Sequence, residues 1–129
     1  GKLLPQAPTA RWETIKWLQF HTSSMGPILG QRVHFEMFAK DKIPSAIERY
    51  RSLTDDVFAV LNGRLAVNPW LAGEEYSIAD IATFGWTHIA VICGFTFNQH
   101  RHPARGHERV AERPAVQGGI SLPAPATGP

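Results

Sequence analysis

Ser77 and Asp80 come nearest to a catalytic pair in this chain, because a hydroxyl and a carboxylate stand three positions apart. A serine nucleophile needs a histidine to accept its proton, and no histidine is placed to act with this pair. The same spacing is typical of a capping box, in which Ser77 accepts from the N–H of Asp80 and Asp80 accepts from the N–H of Ser77. We therefore interpret the pair as a helix start, with Tyr76 and Ile81 as a hydrophobic staple and no catalytic residue.

Histidines and a single cysteine are the remaining groups capable of chemistry. Cys93 has apolar neighbours, which favours a packed and unreactive thiol. His100, His102 and His107 suggest metal spacing only faintly, since no carboxylate or thiolate accompanies them at a recurring interval. We predict a polar loop there and no metal site.

Composition excludes several classes of protein. The 129 residues suit one domain, and 43% apolar residues suffice for a single core. A net charge of +2, without a run of like charges, argues against nucleic acid as a partner. One cysteine fits a reducing, cytoplasmic compartment, and the first residues lack the apolar run of a signal peptide.

The longest apolar region, from Ile78 to Phe97, raises the question of a membrane helix. Asp80 and His88 lie inside it, and a charge at the bilayer centre costs roughly 3 kcal/mol. We therefore predict a helix buried in a bundle and no membrane contact.

Helical periodicity and helix breakers predict an all-α chain without a sheet, because no useful period-two alternation occurs. The first helix is capped by Thr9 and meets a break at Met25-Gly26-Pro27, which allows one long kinked helix or two consecutive ones. Further helices are predicted over 31–39, from Pro44 to Asn68, from Ser77 to about Gly94, from Pro103 to Ala111, and briefly after Arg113-Pro114.

Three groups of segments resemble the carboxy-terminal domain of cytosolic glutathione transferases. They are Trp70-Leu71-Ala72-Gly73 before Tyr76-Ser77-Ile78-Ala79-Asp80-Ile81-Ala82, Gly26-Pro27-Ile28-Leu29-Gly30-Gln31 with His34-Phe35 and Glu48-Arg49-Tyr50, and Glu108-Arg109-Val110 with Arg113-Pro114-Ala115-Val116. The second group resembles the branch of the nu-class enzymes and the yeast nitrogen regulator. The resemblance implies a helical bundle around a buried central helix starting at Ser77. It also implies a linker remnant at 1–8 and the helical domain at 9–120. Residues 121–129 are predicted to be a disordered tail, because their composition cannot bury enough apolar surface to order them.

The resemblance also implies what the chain does. Glutathione is the substrate, with no metal, and a thioredoxin-like domain outside this chain activates its thiol. Arg49 contributes to glutathione binding, against the alternative of a solvated charge pairing with Asp56 or Glu48. The pocket for a small hydrophobic electrophile or a disulfide is formed by Phe20, Ser24, Gln31, His34 and Trp86, although aromatic residues at helical spacing are also typical of core.

Two functions stay open from the sequence alone. The first is the helical half of a homodimeric detoxification enzyme, either a glutathione transferase or a glutathione-dependent disulfide reductase. The second is a stand-alone interaction module without catalysis. In either case the first two helices are expected to expose apolar surface and to self-associate. Family members also carry a tryptophan shortly before Glu108-Arg109-Val110, where this chain has Ala104-Arg105-Gly106-His107, so the last helix is expected to be loosened.

Overall fold

The computed structural model describes residues 2–122, and these form an all-α structure, as the sequence predicts. Only an isolated bridge between Trp70 and Gly73 has strand-like pairing in that range. Residues 123–129 of the predicted tail lie outside the described residues. The elements in chain order are α1 (Pro8–Phe20), a π-helical turn (His21–Met25), α2 (Gly26–Val33), a second π-helical turn (His34–Phe38), α3 (Pro44–Val67), α4 (Ile78–Ile92), α5 (Arg101–Ala111) and α6 (Pro114–Ile120).

A π-helical turn accommodates the break predicted around Pro27, so α1 and α2 form one continuous helical stretch. The N–H of Gly26 reaches the carbonyl of His21, five residues back. Widening the turn makes room for a proline ring that would otherwise crowd the preceding carbonyl. At the other end α1 begins at Pro8 with Ala7 as its N-cap, so the prediction that Thr9 caps this helix is wrong. Proline is favoured at the first helical position because its φ angle is already helical.

The bounds of α3 confirm the predicted start at Pro44 and the end at Asn68. The polar loop predicted at His100, His102 and His107 is wrong, because α5 already begins at Arg101. Pro103 lies in the first turn of α5, where a missing N–H loses no intrahelical bond.

Helix α4 is central, packing against α1, α2, α5 and the first π-helical turn. Small residues such as Ala79 and Ala90 are fully buried along it and let its neighbours approach closely. The large core side chains that surround it come from other elements, and include Met25, Leu29, Phe58, Leu61 and Leu71. No helix within residues 2–122 combines the length and the apolarity needed to span a membrane.

Gly106 lies where α5 faces Leu65 of α3. A Cβ atom at this position would stand 3.1 Å from Leu65 Cδ1, so the missing side chain lets the two helices approach. This finding differs from the loosened helix expected from the sequence, since the glycine serves close packing here.

Candidate functional site

The start of α4 is a buried polar site built around Ser77 and Asp80. Ser77 is the N-cap, and its Oγ accepts from the N–H of Ala79 at 3.2 Å. One carboxylate oxygen of Asp80 accepts from the N–H of Ser77 at 3.0 Å. The other accepts from the N–H of Leu71 at 2.9 Å, so the same carboxylate holds the loop before α4.

Asp80 is 5% exposed, and burial raises the pKa of its carboxyl above the ordinary value of 3.8. The backbone N–H groups of Leu71 and Ser77 act in the opposite direction and offset part of that rise. His107 lines the same cavity of about 30 Å³ as Asp80, but within residues 2–122 no hydrogen bond joins it to Asp80 or Ser77. The geometry therefore suits a structural clamp between a loop and a helix.

Tyr76 and Ile81 line one apolar groove of about 400 Å³ together with Leu3 and residues of α6. The Tyr76 ring also meets Trp70 edge-on, with ring centroids 5.0 Å apart, and the Arg113 guanidinium lies 3.8 Å above it. The two residues predicted to staple the start of α4 thus line a groove together with Leu3 and residues of α6.

Phe20 and Trp86, two of the predicted pocket residues, border the same core cluster. Trp86 lies against α2, where a Cβ atom on Gly26 would be 3.1 Å from its Nε1. The ring of Phe20 meets Trp17 edge-on at 5.5 Å. Both residues therefore combine a packed side with a partly exposed one.

Ser24, Gln31 and His34 lie further along the same helical stretch, with Gln31 and His34 exposed. The His34 ring meets Phe35 edge-on at 5.0 Å, and Phe35 stacks on Tyr50. None of the five predicted pocket residues lines one of the four cavities of this structure that we discuss. Within residues 2–122 no hydrogen bond or ring contact joins any two of these five residues, so the structure does not bring them together as one pocket.

Arg49 is exposed on α3, and among the described residues it forms no ion pair. Its neighbour Arg51 is engaged instead, donating from Nε and Nη2 to the two carboxylate oxygens of Glu36 at 2.9 and 3.0 Å. The Arg49 guanidinium is thus available to a ligand or another chain.

Glu36 joins the second π-helical turn to two arginines, a network that sequence reasoning missed because Arg51 is fifteen residues away. Arg32 Nε also donates to Glu36 at 2.9 Å, and its guanidinium lies 3.9 Å from the centre of the Phe95 ring. Burial raises the pKa of Glu36, but the hydrogen bonds from Arg51 and Arg32 outweigh it, so the pKa is lowered from 4.5.

Glu36→Gln is expected to reduce the free energy of unfolding by about 2 kcal/mol at pH 7, because the variant loses charge-assisted bonds to two arginines. A carboxyl whose pKa is lowered in the folded state contributes stability above its unfolded pKa, and that stability is lost as the pH falls through the folded value. Urea unfolding of both proteins should therefore converge well below pH 4.5. A difference that stays constant down to pH 2 would contradict this assignment.

A stacked pair of histidines between α4 and α5 was also not predicted from the sequence. His88 Nδ1 and His107 Nε2 are 3.2 Å apart, and Phe84 stacks on both rings. Burial lowers the pKa of His107, and the neighbouring His88 lowers it further. Within residues 2–122 no three ligating side chains come together as a metal site.

Comparison with known proteins places these features in a family. The family model described as "Glutathione S-transferase, C-terminal domain" matches residues 30–114. The "Disulfide-bond oxidoreductase YfcG" of Escherichia coli (strain K12) is 40% identical over 116 residues, which cover 90% of this chain and 54% of that protein. The chain thus spans about half the length of the curated relatives it matches.

Solved structures agree with the fold. A glutathione transferase from Burkholderia graminis, with two glutathione molecules bound per subunit, matches with a TM-score of 0.89 and 32% identity, covering 97% of this chain and 55% of that one. The glutathione transferase URE2P6 from Phanerochaete chrysosporium, in complex with oxidized glutathione, matches with a TM-score of 0.83 and 28% identity, covering 91% and 55%. These matches are consistent with the branch that the sequence indicates.

Proposed function

The chain belongs to the glutathione S-transferase family, in which it matches the carboxy-terminal domain, and on that premise we propose that it is the helical half of a glutathione-dependent enzyme. The observation that carries the proposal is its 40% identity to the Escherichia coli relative along 90% of the chain. That relative is a disulfide-bond oxidoreductase, which favours disulfide reduction over transfer of glutathione to an electrophile. Both reactions begin with the same nucleophile, the thiolate of glutathione.

In the favoured reaction a glutathione thiolate attacks one sulfur of a substrate disulfide. A mixed disulfide forms and the second sulfur leaves as a thiolate. Another glutathione thiolate then attacks the glutathione sulfur of the mixed disulfide, which gives oxidised glutathione and releases the remaining substrate thiolate. Two glutathiones are thus oxidised for each disulfide reduced, and the helical domain needs no redox-active cysteine of its own.

Ionisation of glutathione at neutral pH requires donors that stabilise its thiolate. We assign that task to a thioredoxin-like domain outside these 129 residues. The described residues supply helices, and we place the co-substrate beside Phe20, Ser24, Gln31, His34 and Trp86. In this arrangement residues 1–8 link the two domains, although α1 already begins at Pro8.

Exposed aromatic side chains on the first helical stretch support a docking role for this surface. Trp12 is 69% exposed and Phe38 is 75% exposed, which is unusual for such large apolar groups. We propose that the thioredoxin-like domain and a second subunit cover this side of the molecule in a cytoplasmic homodimer. The same exposure is what favours the second candidate, an interaction module without catalysis.

Arg49→Gln is expected to raise the KM for glutathione about tenfold in the two-domain enzyme, through loss of a charge-assisted hydrogen bond to a glutathione carboxylate. The turnover number should change much less, since the contact is made equally in the ground and transition states. Steady-state kinetics with varied glutathione measure both constants. Arg11→Gln on α1 is the control of equal charge. An unchanged KM for Arg49→Gln would remove Arg49 from the proposed site.

A further inference from the structure

A second concave site, of about 330 Å³, lies between the end of α3 and the outer face of α5. Its floor is the apolar stretch where α3 ends, and its rim comes from α5. The lining residues are Leu65, Ala66, Val67, Asn68, Pro69, His102, Arg105, Gly106 and Arg109. None of the residues proposed for glutathione or its co-substrate is among them.

All the ionisable side chains that line this cavity are basic. Arg105 and Arg109 are one helical turn apart, His102 precedes them by nearly another turn, and no acidic residue lines the cavity. Among the described residues Arg105 forms no ion pair. Its guanidinium is therefore free to bind an anion.

Arg109 is held in place for such a role. Its Nη1 donates to the carbonyl of Pro69 at 2.6 Å, and its guanidinium lies 4.0 Å from the centre of the Trp70 ring. Stacking and the carbonyl bond use one face and one donor of a group that carries five donors. The remaining donors stay beside the cavity at little further cost in side-chain entropy.

We propose that this cavity binds the phosphate group of a small phosphorylated molecule. Guanidinium groups bind phosphate through paired, charge-assisted hydrogen bonds, and two of them with an imidazole suit a doubly charged group better than a single carboxylate. The volume accommodates one phosphate and a short organic part on the apolar floor. A net charge of only +2 and a basic patch confined to one concave site argue for a small molecule over a nucleic-acid backbone.

Titration calorimetry with inorganic pyrophosphate, and separately with succinate, tests this at constant ionic strength. Pyrophosphate should bind at roughly millimolar or lower concentration, and Arg105→Gln should weaken it about tenfold. Arg101→Gln removes the same charge from the same helix outside the cavity and should leave the affinity within about twofold.

Three results would overturn the proposal. They are absence of pyrophosphate binding, equal weakening by Arg101→Gln and Arg105→Gln, and succinate binding as tightly as pyrophosphate.

Discussion

Asp80→Ala is expected to lower the free energy of unfolding by about 3 kcal/mol. The variant loses two short hydrogen bonds from backbone N–H groups to a carboxylate and leaves the N–H groups of Leu71 and Ser77 buried without an acceptor. It also loses a negative charge in the first turn of α4, where the helix dipole favours it. These losses exceed the desolvation of the carboxylate that the variant relieves, because the orphaned donors stay buried.

Urea unfolding followed by circular dichroism measures this effect. Asp56→Ala is the matched control, since Asp56 is exposed on α3 and should change stability by no more than about 0.5 kcal/mol. Asp80→Asn should retain part of the stability, because an amide oxygen can accept one of the two N–H bonds. If Asp80→Ala and Asp56→Ala changed the free energy of unfolding equally, the hydrogen bonds of Asp80 between the loop and α4 would not stabilise this fold.

Local motifs were the part of the structure that the sequence predicted well. The Ser77–Asp80 capping box and the proline at the start of α3 each depend on neighbours within four residues. The bond from Leu71 to Asp80 was not predictable in the same way. It requires the turn at Trp70–Gly73 to bring a backbone N–H to a carboxylate nine residues further on.

Contacts between elements were missed for a related reason. The bridge from Glu36 to Arg51 depends on how the second π-helical turn faces α3, and the His88–His107 pair on how α4 faces α5. A periodic pattern gives the face of one helix but not its rotation against another. Gly106 is a similar case. The sequence alone predicted that this glycine loosens the helix, whereas the structure shows that it allows close packing against Leu65.

For the candidate co-substrate site, residue types alone could predict candidate residues but not whether they form an enclosed pocket. Apolar faces with polar tips near a predicted kink led to the prediction of a pocket there, whereas Phe20 and Trp86 pack against the hydrophobic core and the pocket stays a prediction. The sequence could not say whether the surface is enclosed, because that depends on what covers it. The proposed thioredoxin-like domain would provide the missing wall.

We propose that the helical domain binds the co-substrate and that a separate domain ionises glutathione. The direct measurement compares three proteins in reduction of hydroxyethyl disulfide by glutathione at pH 7. They are the 129-residue chain, the amino-terminal half of the Escherichia coli relative, and a fusion in which that half precedes Gly1.

Neither half alone is expected to exceed the uncatalysed rate, whereas the fusion should exceed it by on the order of a hundredfold or more, because only the fusion combines thiolate stabilisation with a pocket. The fusion carrying Arg49→Gln should show the raised KM for glutathione. That result would show that residues of this chain contribute to the activity of the fusion. Turnover by the isolated 129-residue chain at a rate comparable to that of the fusion would contradict the claim.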